Sequence, residues 1–210
     1  MTHSDWRRIH AERRRLGELL DGLGTEQWRT TSLSDDWTVE DVVAHLTAGA
    51  HTGTRAWIAS IVRARFNPAR HNRRLLAEHL GTTAQETLRG FHAATDTTIS
   101  PSKHLAAVLG EVIVHGQDIA IPLGISLTPA PDAVMDVARF FAARDFAVNS
   151  RTLVRGLRLE ATDSAFASGD GPVVHGPTLA LVMAMAGRPT EDLTGDGADE
   201  LARRIAALPR

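Results

Sequence analysis

The sequence predicts a mainly α-helical protein: a helical bundle over residues 1–149, followed by a small α+β unit over residues 150–210. Three observations predict it. Apolar residues recur at helical spacing through the first two thirds of the chain. One such stretch, Leu109 to Leu123 (LGEVIVHGQDIAIPL), is apolar nearly all round, the pattern of a helix enclosed by others. Beyond Asn149 the pattern changes to strand-like alternation in LVRGLRLEATD.

Composition narrows the class. An apolar content of 43% over 210 residues supports a real core in one large or two small domains. Lys and Arg total 23 against 25 Asp and Glu, and a net charge of -2 gives no global pull toward nucleic acid or an anionic membrane, so neither is expected as a partner. There is no cysteine. Disulfide frameworks and thiolate metal sites are therefore excluded, and any thiol chemistry must come from a bound small molecule. The opening MTHSDWRRIHAERRR lacks the apolar stretch of a signal peptide, and no run approaches the roughly 18 apolar residues of a membrane span. A cytoplasmic protein is expected.

Taken in order, Ser4 or Asp5 caps a first helix to about Leu20, with Trp6, Ile9, Leu16, Leu19 and Leu20 inward and Gly22 as the stop. Its arginines, interleaved with Glu12 and Glu18, read as a solvated face. The polar GLGTEQWRTTSLSDDW is a loop pinned by Trp28 and Trp37. Thr38 and Asp41 form a capping-box variant opening a second helix to about Arg65, on which Asp41, His45 and Gly49 share a face, with Gly49 and Gly53 expected to admit a close neighbour. A connector with a short helical piece follows Asn67 and Pro68. Thr83 caps a third helix with Leu88 and Phe91 inward; Ser100 and Pro101 end it and begin the fourth, which carries the Leu109–Leu123 stretch. A fifth helix is expected over Ala133 to Phe146. In the last third, AFASGDGPVVHG reads as a hairpin or turn-rich edge, GPTLALVMAMAG as a buried helix ended by Gly187, and ADELARRIAAL as a closing helix.

The candidate chemistry lies on the fourth helix. At about 100° per residue, offsets of four and seven return almost to the starting azimuth, so Glu111, His115 and Asp118 project from one narrow face. Polar groups inside an apolar helix carry a desolvation cost unless paired, and a bound cation is the simplest partner. His45, also in an apolar run, completes a set of two imidazoles and one carboxylate with an open fourth position, as in a catalytic Zn²⁺ site. A structural hydrogen-bond network fits the same residues, and both readings stand at this point. Asp118 orients His115 or forms an intrahelical ion pair. Arg188, after Gly187, is a cation at a helix end or an arginine that reaches a substrate carboxylate. His51, at an offset of six from His45, points elsewhere, and His79, His92, His104 and His175 lack ligand spacing.

The segment Trp37-Thr38-Val39-x-Asp41-Val42-Val43-x-His45-Leu46, with Glu111-Val112-x-Val114-His115-Gly116-Gln117-Asp118-Ile119 and Pro122-Leu123-Gly124, resembles the metal-binding domain of mycothiol-dependent maleylpyruvate isomerases, one of the DinB/YfiT-like bundles. GLRLEATD, Val174-His175-Gly176-Pro177, Gly187-Arg188 and Leu193-Thr194-Gly195-Asp196-Gly197 resemble the family's small C-terminal α+β domain. The resemblance implies a DinB-like four-helix bundle whose metal triad is His45, Glu111 and His115, with Asp118 and Arg188 matching an acidic residue and an arginine of the family. It implies Zn²⁺ or another divalent metal, mycothiol or a related low-molecular-weight thiol, and a small electrophilic substrate, and it leaves room for a homodimer. The implied activity is isomerase or thiol S-transferase, through a metal-activated thiolate. A non-catalytic metal- or ligand-binding module is the alternative. A DNA-binding regulator fits less well, because the helix through His45 continues with no recognition helix after a short turn.

Overall fold

The computed structural model describes residues 3–34, 37–65, 67–146 and 148–208, excepting the side chains of residues 3, 4, 68 and 69. The expected capping role of Ser4 lies outside that description. Two compact units divide after Pro129. The first holds α1 (His3–Asp21), α2 (Val39–His51), α3 (Thr54–Arg63), α4 (Pro68–Ala77), α5 (Ala84–Ala94) and α6 (Leu105–Ala120). The second holds α7 (Pro131–Ala143), α8 (Ser150–Leu153), β1 (Arg158–Ala161), β2 (Ala167–Ser168), β3 (Val173–Gly176), α9 (Thr178–Met185) and α10 (Ala198–Ala206).

In the N-terminal unit, α1, α2, α5 and α6 form the bundle, with α2 against α5 and α6, and α1 against α5 and α6. Leu16, Leu20, Trp28, Val39, Val42, Val43, Leu46, Phe91 and Ile119 meet in its core. The capping box at the start of α2 is present in both directions: the Asp41 amide donates to Thr38 Oγ1, and the Thr38 amide donates to Asp41 Oδ2 at 2.9 Å. This fixes the azimuth from which His45 projects, one turn later.

Three local expectations are corrected. The helix expected to run on to Arg65 breaks, because Thr52 and Gly53 are both extended and Gly53 becomes the N-cap of α3. The Thr97 hydroxyl donates to the Ala50 carbonyl at 2.9 Å, taking up one of the carbonyls that the broken helix leaves open. The fourth helix begins at Leu105 rather than Ser100: the Ser102 hydroxyl captures the His104 amide at 2.9 Å in a local turn that competes with the first helical turn. The arginine-rich side of α1 is only partly solvated. Arg13, 4% exposed, donates to the Ala94 and Thr97 carbonyls at the end of α5, and Glu12 is also buried. Burial lowers the Arg13 guanidinium to about 10 against the opposing pull of Asp96.

In the C-terminal unit a three-stranded sheet of order β2-β1-β3 pairs β1 antiparallel with β2 and parallel with β3. Leu159 and Val174, partners in the β1–β3 register, are both buried. At Gly176 a Cβ would fall 2.8 Å from the Asp192 carbonyl oxygen, so the following segment passes too close for any side chain. The sequence reading places the domain boundary near residue 150, whereas the compact units meet twenty residues earlier. The difference is α7, whose buried Val134, Val137 and Phe141 side belongs to the second unit, where α7 packs on α9. Hydropathy shows that α7 has an apolar face but not which neighbour it faces.

Candidate metal centre

Helix α6 is buried at nearly every position from Leu105 to Ala120, and its polar face is the one Glu111, His115 and Asp118 share. The facing helix α2 presents His45. His45 Nε2 and His115 Nε2 each lie 3.4 Å from Glu111 Oε2, and the three donor atoms all fall within 4.8 Å of one another. Among the described residues this is the one group of three or more such side chains with metal-ligand spacing.

The distances bear on what the cluster is for. A charge-assisted N–H···O⁻ bond is about 2.7–2.9 Å long, so 3.4 Å contacts are loose as hydrogen bonds. Two ligands about 2.1 Å from one tetrahedral ion, however, sit about 3.4 Å apart. The His115 Nδ1–H donates to Asp118 Oδ2 at 2.9 Å, which directs Nε2 toward Glu111 and His45. Asp118 is 0% exposed and its backbone carbonyl accepts from the Leu33 amide at 3.0 Å, so the orienting residue is fixed through its backbone as well as its side chain. A borderline-soft divalent ion such as Zn²⁺ suits two imidazole nitrogens and a carboxylate.

Electrostatics points the same way. Enclosure among the helices pushes the Glu111 carboxyl up although 42% of its side-chain surface stays exposed, but the adjacent imidazoles of His115 and His45 outweigh this and hold the group well below the usual carboxylate range. Burial likewise disfavours a proton on His115, and the carboxylates of Asp118 and Glu111 reverse this and raise its pKa. Two carboxylates, Glu111 and Asp118, thus flank His115, and a proton on that imidazole offsets the charge where a divalent ion would otherwise do so. Trp37 closes one side of the centre, its ring 4.9 Å from that of His45 and stacked at 6.4 Å on His115. Its segment is fixed by the bridge between Thr31 and Thr38 and by the Ser32 amide donating to the Trp37 carbonyl at 2.8 Å. Sequence reasoning gave Trp37 only a role as a loop pin; its place two residues before the Val39 start of α2 is the signal that it would reach the first turns of that helix.

The family model for the N-terminal domain of mycothiol maleylpyruvate isomerase matches residues 9–120. The chain belongs to this family. The matched span holds His45, Glu111, His115 and Asp118, four of the five residues the sequence singles out, and mycothiol dependence and enzyme status follow at the level of the family. Among solved structures, the crystal structure of the mycothiol-dependent maleylpyruvate isomerase and that of its histidine-to-alanine mutant superpose with a TM-score of 0.65 each, at 18% and 17% identity, covering 93% of this chain and 92% of theirs. At that identity the likeness shows a shared fold, a mainly helical protein ending in a small sheet. No curated protein sequence matches the chain.

The fifth residue, Arg188, belongs to the C-terminal unit. Gly187 adopts φ +81 after α9, and the Gly187 and Arg188 amides donate to the Ala184 and Met183 carbonyls, the two bonds of a Schellman helix end. The Arg188 guanidinium donates to the Ala186 carbonyl at 2.8 Å. His51 stacks on His79 with ring centroids 5.4 Å apart, away from the triad, as its offset of six implies. Among the described residues no helix is long and apolar enough to cross a membrane.

Proposed function

We propose that this member of the mycothiol maleylpyruvate isomerase family is a metal-dependent enzyme. It uses mycothiol, or a related low-molecular-weight thiol, as a nucleophile on small electrophilic substrates, as isomerase or S-transferase, in the cytoplasm. The observation that carries the reading is the convergence of two imidazoles and one carboxylate from separate helices to within 4.8 Å, with one imidazole already oriented by a buried carboxylate. His45, Glu111 and His115 would hold Zn²⁺ or another divalent ion. Such an ion keeps residual positive charge with two neutral ligands and one carboxylate, and it lowers the pKa of an incoming thiol toward neutrality.

The remaining work falls to the side chains. Asp118 fixes the His115 tautomer and assists removal of the thiol proton. Trp37 excludes water from one side of the centre. Arg188 anchors a carboxylate of the substrate through its guanidinium. In the isomerase version, thiolate sulfur adds to a cis alkene carbon conjugated to a carbonyl, and the electron pair moves onto that carbonyl. The former double bond then rotates, and return of the electron pair expels the sulfur and leaves the trans isomer. In the transferase version the carbon–sulfur bond is retained, and the enolate carbon takes up the proton that the thiol released. The absence of cysteine suits both, since no protein thiol competes for the electrophile.

The test is turnover of maleylpyruvate and of a generic electrophile by zinc-loaded protein, with and without mycothiol. The reading expects turnover only with both zinc and thiol. Turnover without thiol overturns it, and binding of both with no turnover of any electrophile makes the chain a binding module.

A further inference from the structure

We propose that the space beside Gly49 receives the body of the incoming thiol, so that Gly49 admits to the His45–Glu111–His115 centre a thiol considerably larger than cysteine. The inference rests on the function proposed above and adds where the thiol lies.

Gly49 is a helical residue of α2 without any of the usual reasons for glycine. Its φ is not positive, and it does not occupy the position after the helix end where glycine caps. No neighbour needs the room, since a Cβ built there meets nothing within 4 Å. This overturns the expectation that Gly49 permits close packing of a second element. Glycine is the least favourable helix residue after proline, so a glycine that neither turns the chain nor packs closely leaves the missing side chain itself to be explained.

Position supplies the reason. Gly49 follows His45 by four residues, on the same face and about 6 Å along the helix. A side chain there would lean toward the helix N-terminus, back over His45. The triad is itself open: the Glu111 side chain is 42% exposed and that of His45 20%, whereas His115 and Asp118 are buried and Trp37 covers the rings. Gly49, one turn beyond His45 on the same face, is the helix position that borders this more exposed side of the triad.

The experiment measures thiol binding by calorimetry to zinc-loaded wild type, Gly49→Ala and Gly49→Phe, with mycothiol and with cysteine as probes and with zinc stoichiometry and helical content as controls. Gly49→Phe is expected to retain zinc and helicity, to lose mycothiol affinity by about tenfold or more, and to bind cysteine within about twofold of wild type. Gly49→Ala is expected to bind both thiols as wild type does. Equal mycothiol binding by wild type and Gly49→Phe overturns the inference, and so does equal loss of both thiols. If zinc-loaded wild type binds neither thiol, the proposed function itself falls. Should Gly49→Phe fail to fold, Gly49→Leu is held to the same criteria.

Discussion

Two buried histidines of the N-terminal unit, His115 and His71, sit in opposite surroundings. His115 lies between the carboxylates of Asp118 and Glu111, which raise its pKa against the effect of burial. His71 on α4 lies 2.8 Å from Ser60 Oγ, which also accepts from Arg74 Nη2 at 2.7 Å. Burial first, then the Arg74 charge, lower its pKa, while a hydrogen bond to the Ser60 backbone pulls the other way and His45 adds a further lowering. The same imidazole is thus a proton holder between carboxylates in one place and a neutral strut in the other. The strut has an evident task, because Ser60, 3% exposed, is the one buried residue of α3, and Ile58 and Val62 of that helix face outward. A polar latch, with the Trp57 ring edge-on to His71 at 5.7 Å beside it, joins α3 to α4. Burial of a histidine says little about function; the charge of its neighbours says more.

The largest effect expected from breaking this contrast is at the triad. His45→Ala and His115→Ala should each abolish stoichiometric zinc with helical content nearly intact, measured by metal analysis and circular dichroism, whereas His71→Ala should keep its zinc. Wild-type-like zinc retention in either triad variant removes the distinction between the two clusters. Asp118→Asn comes next, with metal affinity reduced by about 10- to 100-fold in competition with a chelator, because the amide no longer holds the Nδ1 proton as a carboxylate does.

The latch has its own signature. A histidine whose folded pKa is lowered leaves the unfolded chain binding more protons below about pH 6.5. Stability from His71 is therefore full above that value and is lost as the pH falls toward the folded pKa. Melting curves between pH 7.5 and 5 should show this loss in wild type and less of it in His71→Gln; an equal loss in both assigns the pH dependence elsewhere. Ser60→Ala, which removes the hydroxyl that both Arg74 and His71 contact, should cost about 1–3 kcal/mol. The smallest effect is expected at Arg188→Ala, which should weaken the use of anionic substrates more than neutral ones by comparison of kcat/KM. Equal losses reduce Arg188 to the helix-end role of its bond to the Ala186 carbonyl.

The contrast also marks what the sequence can carry. His115 was legible because helical spacing is local: Glu111, His115 and Asp118 share a face whatever surrounds them, and the capping box at Thr38 fixes where the helix of His45 begins. The strut was not legible, since Ser60 and His71 meet only because the chain reverses between them. That reversal passes through Arg65 at φ +57, a conformation no local residue pattern announces. At the break near Thr52 and Gly53 the open Ala50 carbonyl finds its partner in Thr97, forty-seven residues away. Arg13 and Glu12 looked solvated because α1 has charges on all sides, and only the end of α5 decides which of them is enclosed. The division after Pro129 escaped for the same reason: an apolar face on α7 does not name its partner.

The most direct test of the central claim is the zinc-edge absorption spectrum of the loaded protein, before and after addition of mycothiol. The account predicts nitrogen and oxygen neighbours with the scattering of two imidazoles, and one new sulfur neighbour at about 2.3 Å when the thiol is added. A spectrum without two imidazoles, or a zinc environment unchanged by the thiol, would contradict it.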